Sequence, residues 1–259
     1  MEIRAYNALD LAATVVIAPR SLLARGMALL DGFRQFVGEH GIAEVPELNR
    51  ALSSALREMT PSHEEGAEEL EQRYEVLLRN ALRCSSEQWL REASIEVRRT
   101  QLTRALYLTR YVMGTVLVLL VGREAGLEQL RAYLDWSISH RPAPESQPET
   151  LREMWGEDVE WNEQDQGQDA VTALHSEGRL LKKVTACRIH HVLSPLGDQE
   201  MMQTIACYPD FANTHRTNPH FVLTRTQDLM SGGTCCDMCF HDVRKGEAVH
   251  PRSELFESL

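Results

Sequence analysis

The sequence predicts an α+β fold, a helical N-terminal layer packed against a small antiparallel C-terminal sheet, on three observations. Apolar residues recur at helical spacing almost throughout the first 140 or so positions. Prolines 142, 144 and 148 then interrupt the chain, and beyond Val171 the periodicity shortens toward that of strands. The regions so marked are 1–140, helical; 141–170, a linker and acidic segment; and 171–259, a cysteine-bearing α/β region that can share one domain with the rest.

Ser62-x-x-Glu65 has capping-box spacing, and the stripe Leu70, Tyr74, Leu77, Leu78, Ala81 after it lies on one helical face. A second start signal, Ser85-x-x-Gln88, precedes Trp89, Leu90 and Ala93. The stretch from about Thr100 to Val121 is apolar on most sides and is expected to be the central helix. Its most apolar part, Tyr111 to Gly122, falls short of the roughly 20 residues a spanning helix needs, so a buried core helix is expected rather than a membrane segment. Gly122 and Gly126 punctuate the chain before Leu127, Leu130, Tyr133, Leu134 and Ile138 resume a helical stripe. Between Glu153 and Asp169 acidic residues alternate with Trp155 and Trp161, a pattern expected of a solvated segment anchored by its tryptophans.

Leu180 to His191 mixes β-branched and polar residues as a strand does, and Pro195-Leu196-Gly197-Asp198 supplies a turn. Met201 to Cys207 suits a short helix or a strand. Phe221 to Thr226 has strand composition, and Ser231-Gly232-Gly233 breaks the chain before Cys235.

With 259 residues, 43% of them hydrophobic and 25% charged, the chain is globular material, and a net charge of −11 argues against a nucleic-acid partner. The apolar run Leu11 to Ala18 follows Glu2 and Asp10 rather than a basic leader, so a cytoplasmic location is expected. The apolar stretch Val112 to Val121 leaves a homo-oligomer open. Five of the six cysteines (Cys84, Cys187, Cys207, Cys235, Cys236, Cys239) fall after residue 186, and in a chain of this length without an export signal they are expected to be free thiols or metal ligands.

Chemistry concentrates in Cys235-Cys236-Asp237-Met238-Cys239-Phe240-His241, directly after a glycine turn. As a strand it would place Cys235, Asp237 and Cys239 on one face and Cys236, Met238 and Phe240 on the other. Three readings stay open. The cysteines are small buried hydrophobes; or Cys236-x-x-Cys239 holds zinc, completed by Cys207, His215 or His241; or a thiol of lowered pKa works with Asp and His support. Cys207 and Asp210 stand three apart and would share a helical face. Among the histidines of this third (His190, His191, His215, His220, His241, His250), His215 is favoured because it is expected in a polar loop after Asp210. Cys84, alone on a helix, is expected in the core.

Phe221-Val222-Leu223-Thr224-Arg225-Thr226, the glycine turn, Cys236-Asp237, Cys187 and Cys207-x-x-Asp210 together resemble the L-2-amino-thiazoline-4-carboxylic acid hydrolase family. The motif-bearing part covers about residues 184–242, and Met238 and Cys239 replace the aromatic and basic or polar residues that usually follow Cys-Asp there. The resemblance implies a hydrolase that opens a five-membered sulfur and nitrogen ring to an N-carbamoyl amino acid, or a relative acting on another heterocycle in a biosynthetic pathway. Residue types then nominate Cys236 as nucleophile, with Asp237, Cys207 and Asp210 as catalytic companions, or else those carboxylates as activators of water beside a metal held by thiols, the thiol route being preferred. Arg225 is nominated for the substrate carboxylate and His215 as a further substrate-binding residue. The cofactor is unassigned, with zinc open. The alternative is a small-molecule-binding sensor or accessory domain with a cysteine-based zinc site, since such domains also resemble vinyl-reductase-like sensory modules. A third class, a helical interaction protein with an incidental thiol cluster, predicts neither turnover nor metal.

Overall fold

The computed structural model describes residues 2–60, 69–142 and 147–259. In chain order the elements are β1 (Glu2–Asn7), β2 (Thr14–Ile17), α1 (Pro19–Glu39), α2 (Val45–Met59), α3 (Leu70–Leu82), α4 (Ser86–Arg91), β3 (Ile95–Arg98), α5 (Arg99–Val121), α6 (Arg123–Ser139), α7 (Leu151–Asp165), β4 (Gln168–Ser176), β5 (Arg179–Cys187), α8 (Arg188–Leu193), α9 (Gln199–Ala206), α10 (Pro209–Thr217), β6 (Phe221–Thr224), β7 (Cys236–Asp242) and α11 (Ser253–Glu257). They form two units. One is Ala12–Ser137, and the other joins the first eleven residues to Ile138–Leu259.

In the first unit α5 is the central helix, in contact with α1, α2 and α3. It is long and apolar enough to cross a membrane, and Ala105, Leu108, Val112, Met113, Val116 and Leu117 are buried in the core. The α3 stripe Tyr74, Leu77, Leu78 and Ala81 is buried as its spacing predicts, and Tyr74 shares a 2.7 Å hydrogen bond with Thr109 of α5. Ser62-x-x-Glu65 lies outside the described residues; α3 starts at Leu70 under a capping box of Glu69 and Gln72. The Ser85 and Gln88 box caps α4 as expected. Gly126 lets α6 begin flush against α5, because a Cβ there would meet the Val118 backbone at 2.7 Å. Cys84 is half-buried after the left-handed Arg83 that ends α3, rather than within a helix.

The expectation of near-continuous helix to residue 140 fails at three strands. The β-branched run Thr14–Ile17 pairs antiparallel with Ile95–Arg98, where apolar and charged residues alternate. Glu2–Asn7 pairs antiparallel with β4, so the chain's first strand belongs to the C-terminal sheet.

The second unit holds that sheet, five strands in the order β1-β4-β5-β7-β6, every neighbouring pair antiparallel. The acidic segment is helix α7, started by the Thr150 side chain accepting from the Glu153 N–H at 3.2 Å. Trp155 is buried and donates Nε1–H to Thr172 of β4 at 2.7 Å, whereas Trp161 is 53% exposed, so one tryptophan anchors the helix rather than two. β5 stops at Cys187, and His190 and His191 sit in α8 instead of the strand. Met201 to Cys207 resolves as helix, capped by Asp198.

The sheet has two apolar faces. On the first, Tyr6, Trp155, Val159, Ala170, Leu180, Val184, Phe221 and Cys236 pack together. On the second, Ala173, Leu181, Cys239 and Phe256 do. Pleat alternation alone decides which residue of each strand joins which core.

Candidate functional site

The site is laid out by β7. Cys236 stands opposite Val184, Asp237 opposite Lys183, Met238 opposite Lys182 and Cys239 opposite Leu181. Cys236 and Met238 therefore join the first face and Cys239 the second, as the alternation predicts. Three steps along a strand reverse direction, so Cys236 and Cys239 point apart and the zinc reading of Cys236-x-x-Cys239 loses its basis. Among the described residues no group of three or more His, Cys, Asp or Glu is arranged to hold a metal ion.

Around Cys236 the first face gathers thiols and charges. The Leu229 N–H points at Cys236 Sγ at 3.4 Å, and Cys187 and Cys207 lie within electrostatic range of that thiol. Arg225, its side chain 3% exposed, is the hub. Its Nη1 donates to Asp210 Oδ2 at 3.2 Å, its Nη2 donates to the Cys207 carbonyl at 3.1 Å, and its Nε is 3.7 Å from Asp228 Oδ2. The guanidinium also lies over the Phe211 ring, 5.1 Å from its centroid. Asp210 and Cys207, expected on one face, are thus tied together through Arg225.

Burial governs the acidities here. It pushes the Cys236 thiol up to about 12, seconded by the neighbouring Cys187 and Asp228 and opposed by the Leu229 N–H and Arg225. Cys187 and Cys207 are raised for the same leading reason. The Leu229 amide and the Arg225 cation do not overcome it, so the expectation of a thiol with lowered pKa is corrected. At neutral pH these are thiols, and nucleophilic use of Cys236 requires a base. Asp210 is also raised, desolvation by its packed surroundings outweighing the pull of Arg225 and Lys182, an effect that solvent moderates because 39% of the side chain is exposed. A carboxyl moved toward neutral pH in this way is suited to exchanging protons.

Asp237, adjacent to Cys236 in sequence, projects from the opposite face of the sheet. On the second face its Oδ1 accepts from the Thr226 and Gln227 N–H groups, both at 2.9 Å. Its Oδ2 accepts from the Thr226 hydroxyl and lies 3.2 Å from His250 Nε2. His250 also contacts Thr224 Oγ1 at 2.9 Å and stacks on Phe256. Thr224 meets His241 at 2.8 Å, and burial pushes that imidazole down to about 4. This carboxylate pins the loop after β6 and the C-terminal segment to the sheet.

The structure thus brings together Cys236, Cys207, Asp210 and Arg225, and does not bring Asp237 or His215 to them. His215 is exposed in helix α10, not in a loop, and five residues on from Asp210 it faces about 140° away around that helix. Sequence reasoning gave no role to three members of the first face, although Cys187 stands among the residues that carry the family resemblance. Cys187 caps α8 beside Cys236. Asp228, three residues after Arg225, accepts from the Ser231 N–H at 2.7 Å as a loop-forming aspartate does. Lys182 projects on the Cys236 face of β5. For Asp228 the Arg225-x-x-Asp228 spacing was a usable signal; Lys182 reads as any strand lysine until the register is known.

The matched region begins at the last residue of α5 and ends in β7. Residues 121–240 match the model of the L-2-amino-thiazoline-4-carboxylic acid hydrolase family. The family that the motifs resemble is therefore the one matched, and it is a family of hydrolases by name. The match holds every thiol, carboxylate and cation just placed on the first face, together with Asp237, and stops before His241 and His250. No curated protein and no solved structure matches the chain.

Proposed function

We propose that this chain is a cytoplasmic hydrolase that opens a small sulfur- and nitrogen-containing ring bearing a carboxylate, of the thiazoline-carboxylate kind, within a biosynthetic pathway. The observation that supports this most is the convergence of Cys236, Cys207, Asp210, Asp228 and Arg225 on one face, inside the stretch that matches the hydrolase family. Ring opening needs a nucleophile, a proton carrier and a cation for the carboxylate, and the face offers one of each.

In the mechanism we favour, Cys236 Sγ adds to the ring carbon between sulfur and nitrogen while Asp210 takes the thiol proton. The bond from that carbon to the ring sulfur breaks, and the sulfur leaves as a thiol with the proton returned from Asp210. Water then adds to the same carbon, Cys236 departs with a proton, and the product is an N-carbamoyl amino acid carrying a free thiol. One water is consumed and nothing is oxidised. The high pKa of Cys236 is what makes the Asp210 step necessary.

The test is to incubate purified protein with L-2-aminothiazoline-4-carboxylate and follow the product by mass spectrometry and thiol titration. One new thiol per ring, with the mass of one added water, is expected. Absence of any ring opening would end the proposal, and an unchanged rate for Cys236→Ala would end the nucleophile assignment alone.

A further inference from the structure

Five ionic side chains alternate in sign across the first face: Asp158, Lys182, Asp210, Arg225 and Asp228. Lys182 Nζ donates to both oxygens of Asp158, at 2.7 and 3.0 Å, and the Tyr6 hydroxyl donates to the same carboxylate at 3.1 Å. Lys182 also acts electrostatically on Asp210, which is bound in turn to Arg225. Arg225 faces Asp228 on its other side. Register fixes the near end of this row: Lys182 lies two residues from Val184, the cross-strand partner of Cys236, so both project from the same face of the sheet.

Two features set Asp210 apart. Its side chain is 39% exposed, against 6% for Lys182, 3% for Arg225 and 7% for Asp228. Asp228 is further fixed by the Ser231 N–H, and Asp158 by Tyr6, whereas among the described residues the Asp210 carboxylate is held by the one bond from Arg225. The row carries three carboxylates against two cations. A substrate carboxylate added to it would leave two uncompensated negative charges where water is scarce, which is costly. Room and charge are both made if the most open carboxylate gives way.

We infer that the substrate's carboxylate docks between Lys182 and Arg225, in the place that the Asp210 side chain fills in the free protein, and that Asp210 is thereby turned toward the ring. This rests on the ring-hydrolase reading of the site. Lys182, oriented by Asp158 and Tyr6, becomes the second cation of the binding site and sets its preference for an acid over a neutral analogue. Asp210 becomes a competitor for substrate and, once displaced beside the reacting bonds, the proton carrier of the mechanism above. Arg225 alone serves this purpose poorly, because its three nitrogens already face Asp210, the Cys207 carbonyl and Asp228.

The experiment measures binding of 2-aminothiazole-4-carboxylate, an analogue whose aromatic ring resists addition at the carbon between sulfur and nitrogen, and of its carboxamide, by calorimetry. Wild type is expected to prefer the carboxylate. Asp210→Asn keeps the shape and removes the competing charge, so it should bind the carboxylate about tenfold tighter while losing turnover. Lys182→Met should lose the preference for carboxylate over carboxamide, and the double variant Lys182→Met with Asp158→Asn, which leaves no orphaned charge, should lose it equally while keeping the fold. Equal or weaker carboxylate binding by Asp210→Asn, or a preference retained in the double variant, overturns the inference. Turnover of the thiazoline by wild type is scored separately: turnover without tighter binding by Asp210→Asn sinks the docking alone, and tighter binding without turnover sinks the hydrolase reading while the docking stands.

Discussion

Cys236 and Asp237 are consecutive residues of β7, yet one faces the charge row and the other a closed network. Asp237 is 2% exposed, and both of its oxygens are occupied by Thr226, Gln227 and His250, under the stacked Phe256. Cys236 receives one amide and stands near two more thiols and Arg225, whose guanidinium holds the open carboxyl of Asp210. A carboxylate saturated by its own chain has nothing left to offer a substrate and much to lose by moving. Under the proposed function, the contrast separates a residue that does chemistry from one that holds the strand where chemistry happens, although the pair reads as a single motif.

Several substitutions would break or sharpen this contrast. The largest effect is expected for Cys236→Ser, which should lower ring-opening turnover on the order of 10³-fold or more while leaving the urea unfolding midpoint nearly in place. Asp237→Ala should do the reverse. It orphans the donors of Thr226, Gln227 and His250, and should cost about 3 kcal/mol in the same urea titration, with the fraction still folded keeping turnover within a few-fold of wild type. An Asp237→Ala protein of normal stability and no turnover would exchange the roles given to the two faces.

A smaller effect is expected from pH. In the unfolded chain His241 takes up its proton near 6.5, and in the folded protein only near 4. Between those values the unfolded state binds more protons, so this histidine's contribution is fully present above about 6.5 and is lost as pH falls toward 4. Asp210, raised on folding, works in the opposite direction, because protonating it favours the folded chain. Urea titrations at pH 7.5 and 5 should therefore show a loss at pH 5 that shrinks in His241→Gln and grows in Asp210→Asn. The smallest contrast lies in the thiols themselves. Cys236 and Cys239 are both pushed up to about 12, so iodoacetamide at pH 7.5 should label both slowly in the folded protein and rapidly once it is unfolded.

What the sequence made legible was local. The α3 stripe, the Ser85 and Gln88 cap, the turn at Gly232 and Gly233, and the alternation along β7 each follow from residues within a few positions of one another. Gly232 adopts φ of +85°, and a Cβ on Gly233 would meet the Asp228 carbonyl at 2.8 Å, as a tight turn before Cys235 requires. Strand β1 was not legible, because six residues acquire strand character only from a partner near position 170. Lys182 and Asp158 were hidden for a similar reason: β5 must pair with β7 before Lys182 faces the site, and α7 must lie on the sheet before Asp158 reaches it. Asp237 misled by adjacency, since its neighbours in sequence say nothing of the four contacts that occupy it.

The central claim is that the Cys236 face performs the chemistry and the Asp237 face holds the fold. It is tested most directly by assaying thiol release from L-2-aminothiazoline-4-carboxylate with wild type, Cys236→Ser and Asp237→Asn side by side, at a temperature where circular dichroism shows all three folded. Turnover by wild type and Asp237→Asn, with none above background by Cys236→Ser, is the predicted result. Turnover retained by Cys236→Ser and abolished by Asp237→Asn would contradict it.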